Sequence, residues 1–191
     1  MKKKLAILSI TLILVSGAYA GEITGRVSAG PGATVVYVDK IAGKTFPSPA
    51  QHFSLDQRSL SFQPHVLVVP VGATVDFVNS DSVAHNVFWP GVSGNRKAAH
   101  NLGTWPQGEK RSFTFDTPGV VPLLCNVHPE MSGYIIVTPT PYYATADASG
   151  NYTIQNVPDG NYTVTVWHEG TAKPLSKAVA VSGSTKLDLG F

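Results

Sequence analysis

The sequence predicts an all-β chain made of two joined β-sandwiches. Short runs alternate apolar and polar residues with period two, turn-forming residues separate the runs, and no helical period is visible beyond residue 20. The 191 residues, 43% of them hydrophobic, are enough to bury a core, and short strands at this spacing pack as sandwiches or barrels. In chain order, Ala33–Val38, His65–Val69, Thr74–Phe77, Ser112–Asp116, Val120–Leu124, Tyr134–Val137 and Tyr162–Val166 read as strands. The stretch from His65 to Val78 reads as strand leading up to His85. Turns are expected at Val71-Gly72, Thr117-Pro118-Gly119, Ala148 to Asn151 and Pro158 to Asn161. Gly150-Asn151-Tyr152-Thr153 and Gly160-Asn161-Tyr162-Thr163 are a near-repeat, read as two strands each launched by a turn. Both also match the Asn-x-Thr acceptor pattern, which acts only in a eukaryotic secretory route.

The first twenty residues read as an export address. Lys2, Lys3 and Lys4 precede the apolar run Leu5–Val15, and Ala18-Tyr19-Ala20 offers a small-residue cleavage site. The run is shorter than the roughly 20 residues a bilayer span needs, so the expectation is a cleaved signal and no membrane span afterwards. Removing the three lysines leaves 11 basic against 12 acidic residues, a net of −1. That balance excludes the basic footprint of a nucleic-acid binder. One cysteine excludes an internal disulfide, and a free thiol in an oxidising compartment must be buried or ligated.

Chemistry concentrates in Cys125-Asn126-Val127-His128-Pro129-Glu130-Met131, with Cys, His and Met at three-residue intervals between two strands. Met131 is the only methionine besides Met1. His85, in Ala84-His85-Asn86-Val87, is a further candidate ligand upstream. A thiolate, two imidazoles and a thioether are a soft set that selects copper, whereas structural zinc sites use Cys and His without Met. Two His and a Cys with a weak axial Met is the blue-copper arrangement, which lets a metal gain or lose an electron with little rearrangement.

The segment from Leu60 to Thr138 resembles the cupredoxins, amicyanin and the plastocyanins above all. It shares the Val71-Gly72-Ala73-Thr74-Val75 turn and strand, His85-Asn86-Val87, the Phe113-Thr114-Phe115 strand with Pro118-Gly119, and the Cys-x-x-His-x-x-Met loop with its short, amicyanin-like His-to-Met spacing. The resemblance implies a Greek-key sandwich holding one type-1 copper on His85, Cys125, His128 and Met131, with Asn86 joining the two ligand loops. It also implies that the His128 edge is the electron outlet, with Pro129, Trp89, Pro90 and Val92 as its apolar rim. Those families carry proline where Val127 stands. Proline has no N–H, so Val127 is expected to donate to the Cys125 sulfur and to hold the potential above that of a Val127→Pro variant. The other histidines are assigned elsewhere: His65 as structural, His52 and His100 as solvated, His168 as a surface residue.

Gly21–Val27 and Ala33–Val38 resemble the opening strands of carboxypeptidase regulatory-like, transthyretin-like sandwiches, whose continuation matches only 147–152 and 157–164. This implies a signal at 1–20, first sandwich strands at 21–46, a cupredoxin domain at 47–139 and the rest of the outer sandwich at 140–191. The fold class is therefore a cupredoxin Greek-key β-sandwich inserted in, or joined to, a small Ig/transthyretin-like β-sandwich. The expected function is that of an exported, monomeric carrier of single electrons between periplasmic donor and acceptor proteins. The alternative is a periplasmic copper protein for storage or delivery, against which the scarcity of methionine counts. Enzyme readings lack support, because no His-x-His pair is present for further copper clusters.

Overall fold

The computed structural model describes residues 20–171 and 173–191. The export signal read over 1–20 lies outside the described residues except for Ala20. Among the described residues the only helical element is a 3-10 turn at Arg96–Ala98. Two strands open the chain, β1 (Ala20–Ser28) and β2 (Thr34–Val38). The middle comprises β3 (Phe53–Arg58), β4 (Ser61–Gln63), β5 (Val66–Pro70), β6 (Ala73–Asn79), β7 (His85–Trp89), β8 (His100–Trp105), β9 (Lys110–Phe115), β10 (Gly119–Leu124) and β11 (Ser132–Thr138). It closes with β12 (Tyr143–Thr145), β13 (Asn151–Pro158), β14 (Gly160–His168), β15 (Leu175–Val181), β16 (Ser184–Lys186) and β17 (Leu189–Gly190).

The middle strands make two sheets, β4-β3-β6-β9 and β5-β11-β10-β7-β8. The opening and closing strands make the other two, β13-β1-β16 with β17 alongside β1, and β12-β2-β14-β15. β1 pairs with β13 (Ile23 opposite Ile154) and β2 with β14 (Val36 opposite Val166), so neither opening strand joins β5 or β6. The chain leaves the outer sandwich beyond Phe46, which with Ile41 still packs against the outer core, and re-enters at Thr140, whose hydroxyl donates to the Val38 carbonyl at 2.7 Å. Exit and return thus touch, the geometry that lets one compact unit be strung between two strands of another.

The side-chain pattern follows from this stacking. β6 alternates strictly, with Ala73, Val75 and Phe77 buried against Leu55, Val121 and Ile135. β2, β5 and β11 instead read as continuous apolar runs because both of their faces are covered. Val36 and Val38 enter the outer sandwich core. Val69, Ile135 and Val137 enter the middle core. Between them Val35, Val68, Ile136 and Trp167 form a third cluster joining the two sandwiches. The rim of that junction carries a 2.7 Å pair between His65 Nε2 and Glu169 Oε1.

Two expectations are corrected here. His65 to Val78 is two strands, since Gly72 takes φ 81 in the turn between them; glycine adopts that left-handed backbone without the Cβ penalty. His168 is buried rather than on the surface. It lies opposite Thr34 at the end of the β14–β2 ladder, with its Nδ1 2.8 Å from the Thr34 hydroxyl.

The outward face of β6 carries an ionic cluster. Asp76 accepts from Lys110 Nζ at 2.6 Å and Ser112 Oγ at 2.6 Å, and meets His52 Nδ1 at 3.0 Å. The Lys110 bond, then the Ser112 bond, pull its carboxyl from 3.8 down to about 2. A lowered carboxylate pKa adds stability above the unfolded value, and that stability is lost as pH falls through the folded one. Solvent screening reduces the contribution to about 1 kcal/mol. An Asp76→Asn variant should therefore be less stable by that amount at neutral pH. It should converge on wild type as pH falls through about 2, read from denaturant midpoints across the acid range.

Candidate metal centre

β10 ends at Leu124, immediately before Cys125, and β7 begins at His85, and these strands are neighbours in one sheet with Leu124 opposite Phe88. The adjacency brings the thiol to the upstream imidazole. The loop from Asn126 to Glu130 then turns back into β11, supplying His128 on the way, and the Met131 N–H closes it on the His128 carbonyl at 3.0 Å. The donor atoms of His85, Cys125 and His128 all lie within 4.8 Å of one another. His85, Cys125 and Met131 are buried, and His128 is partly open. The two Nδ1 atoms are 3.0 Å apart. Two imidazole lone pairs at that distance need a proton or a cation between them, and with a buried sulfur beside them the donor set suits a soft metal ion.

The sulfur accepts two backbone N–H groups, from Asn86 and from His128, each at 3.4 Å. This corrects the expectation for Val127. The turn folds the amide three residues after Cys125 back over the sulfur, not the amide two residues after it, and the Val127 side chain points outward at 46% exposed. The expected rim is corrected as well. Trp89 is 1% exposed and Val92 7%, both in the middle core, where Trp89 packs beside Phe113 and Phe115; Pro90 and Pro129 are at the surface. The large exposed apolar side chains of this domain are Leu60, Val83 and Val127.

Asn86 makes hydrogen bonds to both the Cys125 loop and β8. Its Oδ1 accepts the Asn126 N–H at 3.3 Å, while Nδ2 donates to Asn101 Oδ1 at 2.9 Å and to the Gly103 carbonyl at 2.7 Å. An Asn86→Ala variant leaves these groups unpaired. It should lose about 1–3 kcal/mol of stability and weaken metal binding about 10–100-fold, measured by denaturation and by chelator competition.

Sequence reasoning misses Asp81. Its Oδ2 sits 2.8 Å from His85 Nε2, and its two oxygens accept the N–H groups of Ser59 and Leu60 at 2.7 and 2.9 Å. The Leu60 bond, with those of Ser59 and His85, outweighs partial burial and holds this carboxyl below the usual carboxylate range. A polar residue four positions before a histidine carries no signal when a loop joins them, because spacing in a loop sets no direction. The remaining histidines stay apart from this cluster: His52 meets Asp76, His65 meets Glu169, and His100 stacks on Trp89 with ring centroids 5.2 Å apart.

Residues 50–138 match the model of the copper-binding proteins of the plastocyanin/azurin family. Residues 132–188 match domain II of polysaccharide lyase family 4. Among solved structures, a copper-containing nitrite reductase from Thermus scotoductus SA-01 is 30% identical over 52% of this chain, with a TM-score of 0.43. This chain covers 25% of that enzyme's length. A purple cupredoxin from Nitrosopumilus maritimus is 26% identical over 45% of this chain and 99% of its own, with a TM-score of 0.40. A reduced amicyanin variant is 22% identical over 56% of this chain and 99% of its own, with a TM-score of 0.42.

Proposed function

We propose that the protein, whose residues 50–138 match the model of the copper-binding plastocyanin/azurin family, is an exported cupredoxin-type electron carrier with one type-1 copper held by His85, Cys125, His128 and Met131. The observation that carries this reading is the convergence of two imidazole nitrogens and one buried thiol sulfur within 4.8 Å, His85 from β7 meeting Cys125 and His128 in a loop that ends on a buried methionine. Copper bound there would supply a one-electron couple. The chain supplies the frame. Asn86 and the Met131 N–H hold the Cys125–Met131 loop in place, and the Asn86 and His128 amides satisfy the sulfur and stabilise its negative charge. Rigid strands on both sides keep the donors from rearranging between oxidation states. His128, alone among the three clustered residues in being partly open, is the natural point of electron exit.

Export would place the carrier between periplasmic redox proteins, as a monomer without substrate chemistry of its own. The test is Cu(II) titration of residues 21–191, followed by visible absorption, redox titration and chelator challenge. One equivalent of copper, an intense thiolate band and reversible one-electron cycling with copper retained are expected. Copper surrendered to the chelator on each reduction would replace this reading with storage or delivery.

A further inference from the structure

We propose that Asp81 is a positioning residue for this centre, selecting the tautomer of His85 and tying the metal-facing ring to the exposed turn at Ser59–Leu60. Its electrochemical consequence rests on the copper reading above; its tautomer consequence does not. An ionised carboxylate can only accept hydrogen bonds, so the 2.8 Å contact between Asp81 Oδ2 and His85 Nε2 places the ring hydrogen on Nε2. The lone pair of a neutral ring is then on Nδ1, the atom 3.0 Å from His128 Nδ1. Without such a partner an imidazole distributes its hydrogen between the two nitrogens, and part of the population presents N–H where a lone pair is needed.

Asp81 is itself held on several sides. Its N–H donates to the Gln57 carbonyl at 3.2 Å and to Asn79 Oδ1 at 2.9 Å. Asn79, fully buried, donates from Nδ2 to the Val83 and Trp105 carbonyls at 2.9 and 3.0 Å. The carboxylate therefore has little freedom to swing away from His85. In the other direction it captures Ser59 N–H and Leu60 N–H in the turn between β3 and β4. Both residues take φ 54, a left-handed backbone that non-glycine residues adopt at a cost. The same two oxygens thus stabilise a strained turn and orient a ligand ring, which makes the two interdependent.

The test uses Asp81→Asn and Asp81→Ala in the full protein. In the metal-free state, nitrogen NMR of the rings should show His85 as the Nε2–H tautomer in wild type and as a mixture in Asp81→Ala, with faster amide exchange at Ser59 and Leu60. In the copper-loaded state, Asp81→Asn removes one negative charge close to the metal and should raise the potential while the visible band remains. Asp81→Ala should raise the copper dissociation constant about 10–100-fold. An Nδ1–H tautomer in wild type, or a tautomer and potential unchanged in both variants, would overturn the proposal. Should Asp81→Ala not fold, Asp81→Asn supplies the potential and wild type the tautomer. Should wild type bind no copper, the electron-carrier reading fails and the metal-free tautomer measurements still decide this one.

Discussion

A Cys125→Ser variant should fold like wild type, lose the intense visible absorption of the copper-loaded protein and bind copper more weakly by more than the 10–100-fold typical of outer partners. Cys125 is the only thiol in the chain, so no other residue can supply a sulfur anion. Serine is close in size, and its hydroxyl oxygen can accept the same two N–H groups, from Asn86 and His128, that the sulfur accepts. The strand end at Leu124 and the loop closure at Met131 do not depend on the thiol, so the structural cost should be small. Its electronic role has no such substitute. A hydroxyl ionises far less readily than a thiol, and it is a hard donor where a soft one selects copper. Visible titration and chelator competition on both proteins check this, and an intense band that survives the substitution would mean that the thiolate is not the ligand.

The legible part of the site is the part written locally. Cys125, His128 and Met131 share one short loop between strands, and their side-chain chemistry alone narrows the choice of metal. His85 is legible because it adds a second imidazole next to an asparagine able to bridge loops. Asp81 is hidden because its relation to His85 is made by a loop held from below by Gln57 and Asn79, which no periodicity encodes. The sulfur's partner amide is misplaced at Val127 for a related reason: one residue's difference in a tight turn decides which N–H meets the sulfur. For the fold, alternation is readable wherever a sheet has one wet face, as in β6 and in the part of β9 that falls within Ser112–Asp116. It does not place β3, β4, β7 and β8. β7 buries His85 and Asn86 beside Val87, and β8 buries only Trp105, so neither shows an apolar–polar alternation. His168 and Trp89 read as surface residues because tertiary cover, by β2 in one case and by β9 in the other, is invisible to local pattern.

The unbroken apolar character of β2, β5 and β11 leads to the second large effect, which concerns how firmly the outer sandwich is joined to the metal-bearing one. Trp167 packs at the centre of the junction among Val35, Val68 and Ile136, with its ring 5.1 Å from that of Tyr134 at an interplanar angle of 56°. Trp167→Ala should destabilise the protein by about 3–5 kcal/mol, the range for truncating a buried large aromatic. The His65–Glu169 pair cannot compensate. It lies at the junction's rim with His65 about half exposed, where such a pair is worth about 0–1 kcal/mol. Ile136 and Tyr134 belong to β11, which begins immediately after Met131, so loss of the junction should also reach the metal loop. In wild type the visible band and the far-ultraviolet signal should vanish in one denaturant transition. In Trp167→Ala the two should separate, with the outer sandwich unfolding first. A midpoint shift equivalent to less than about 1 kcal/mol, within the range of surface substitutions and small effects, would show that the two sandwiches are stable independently and that this contact is not what joins them.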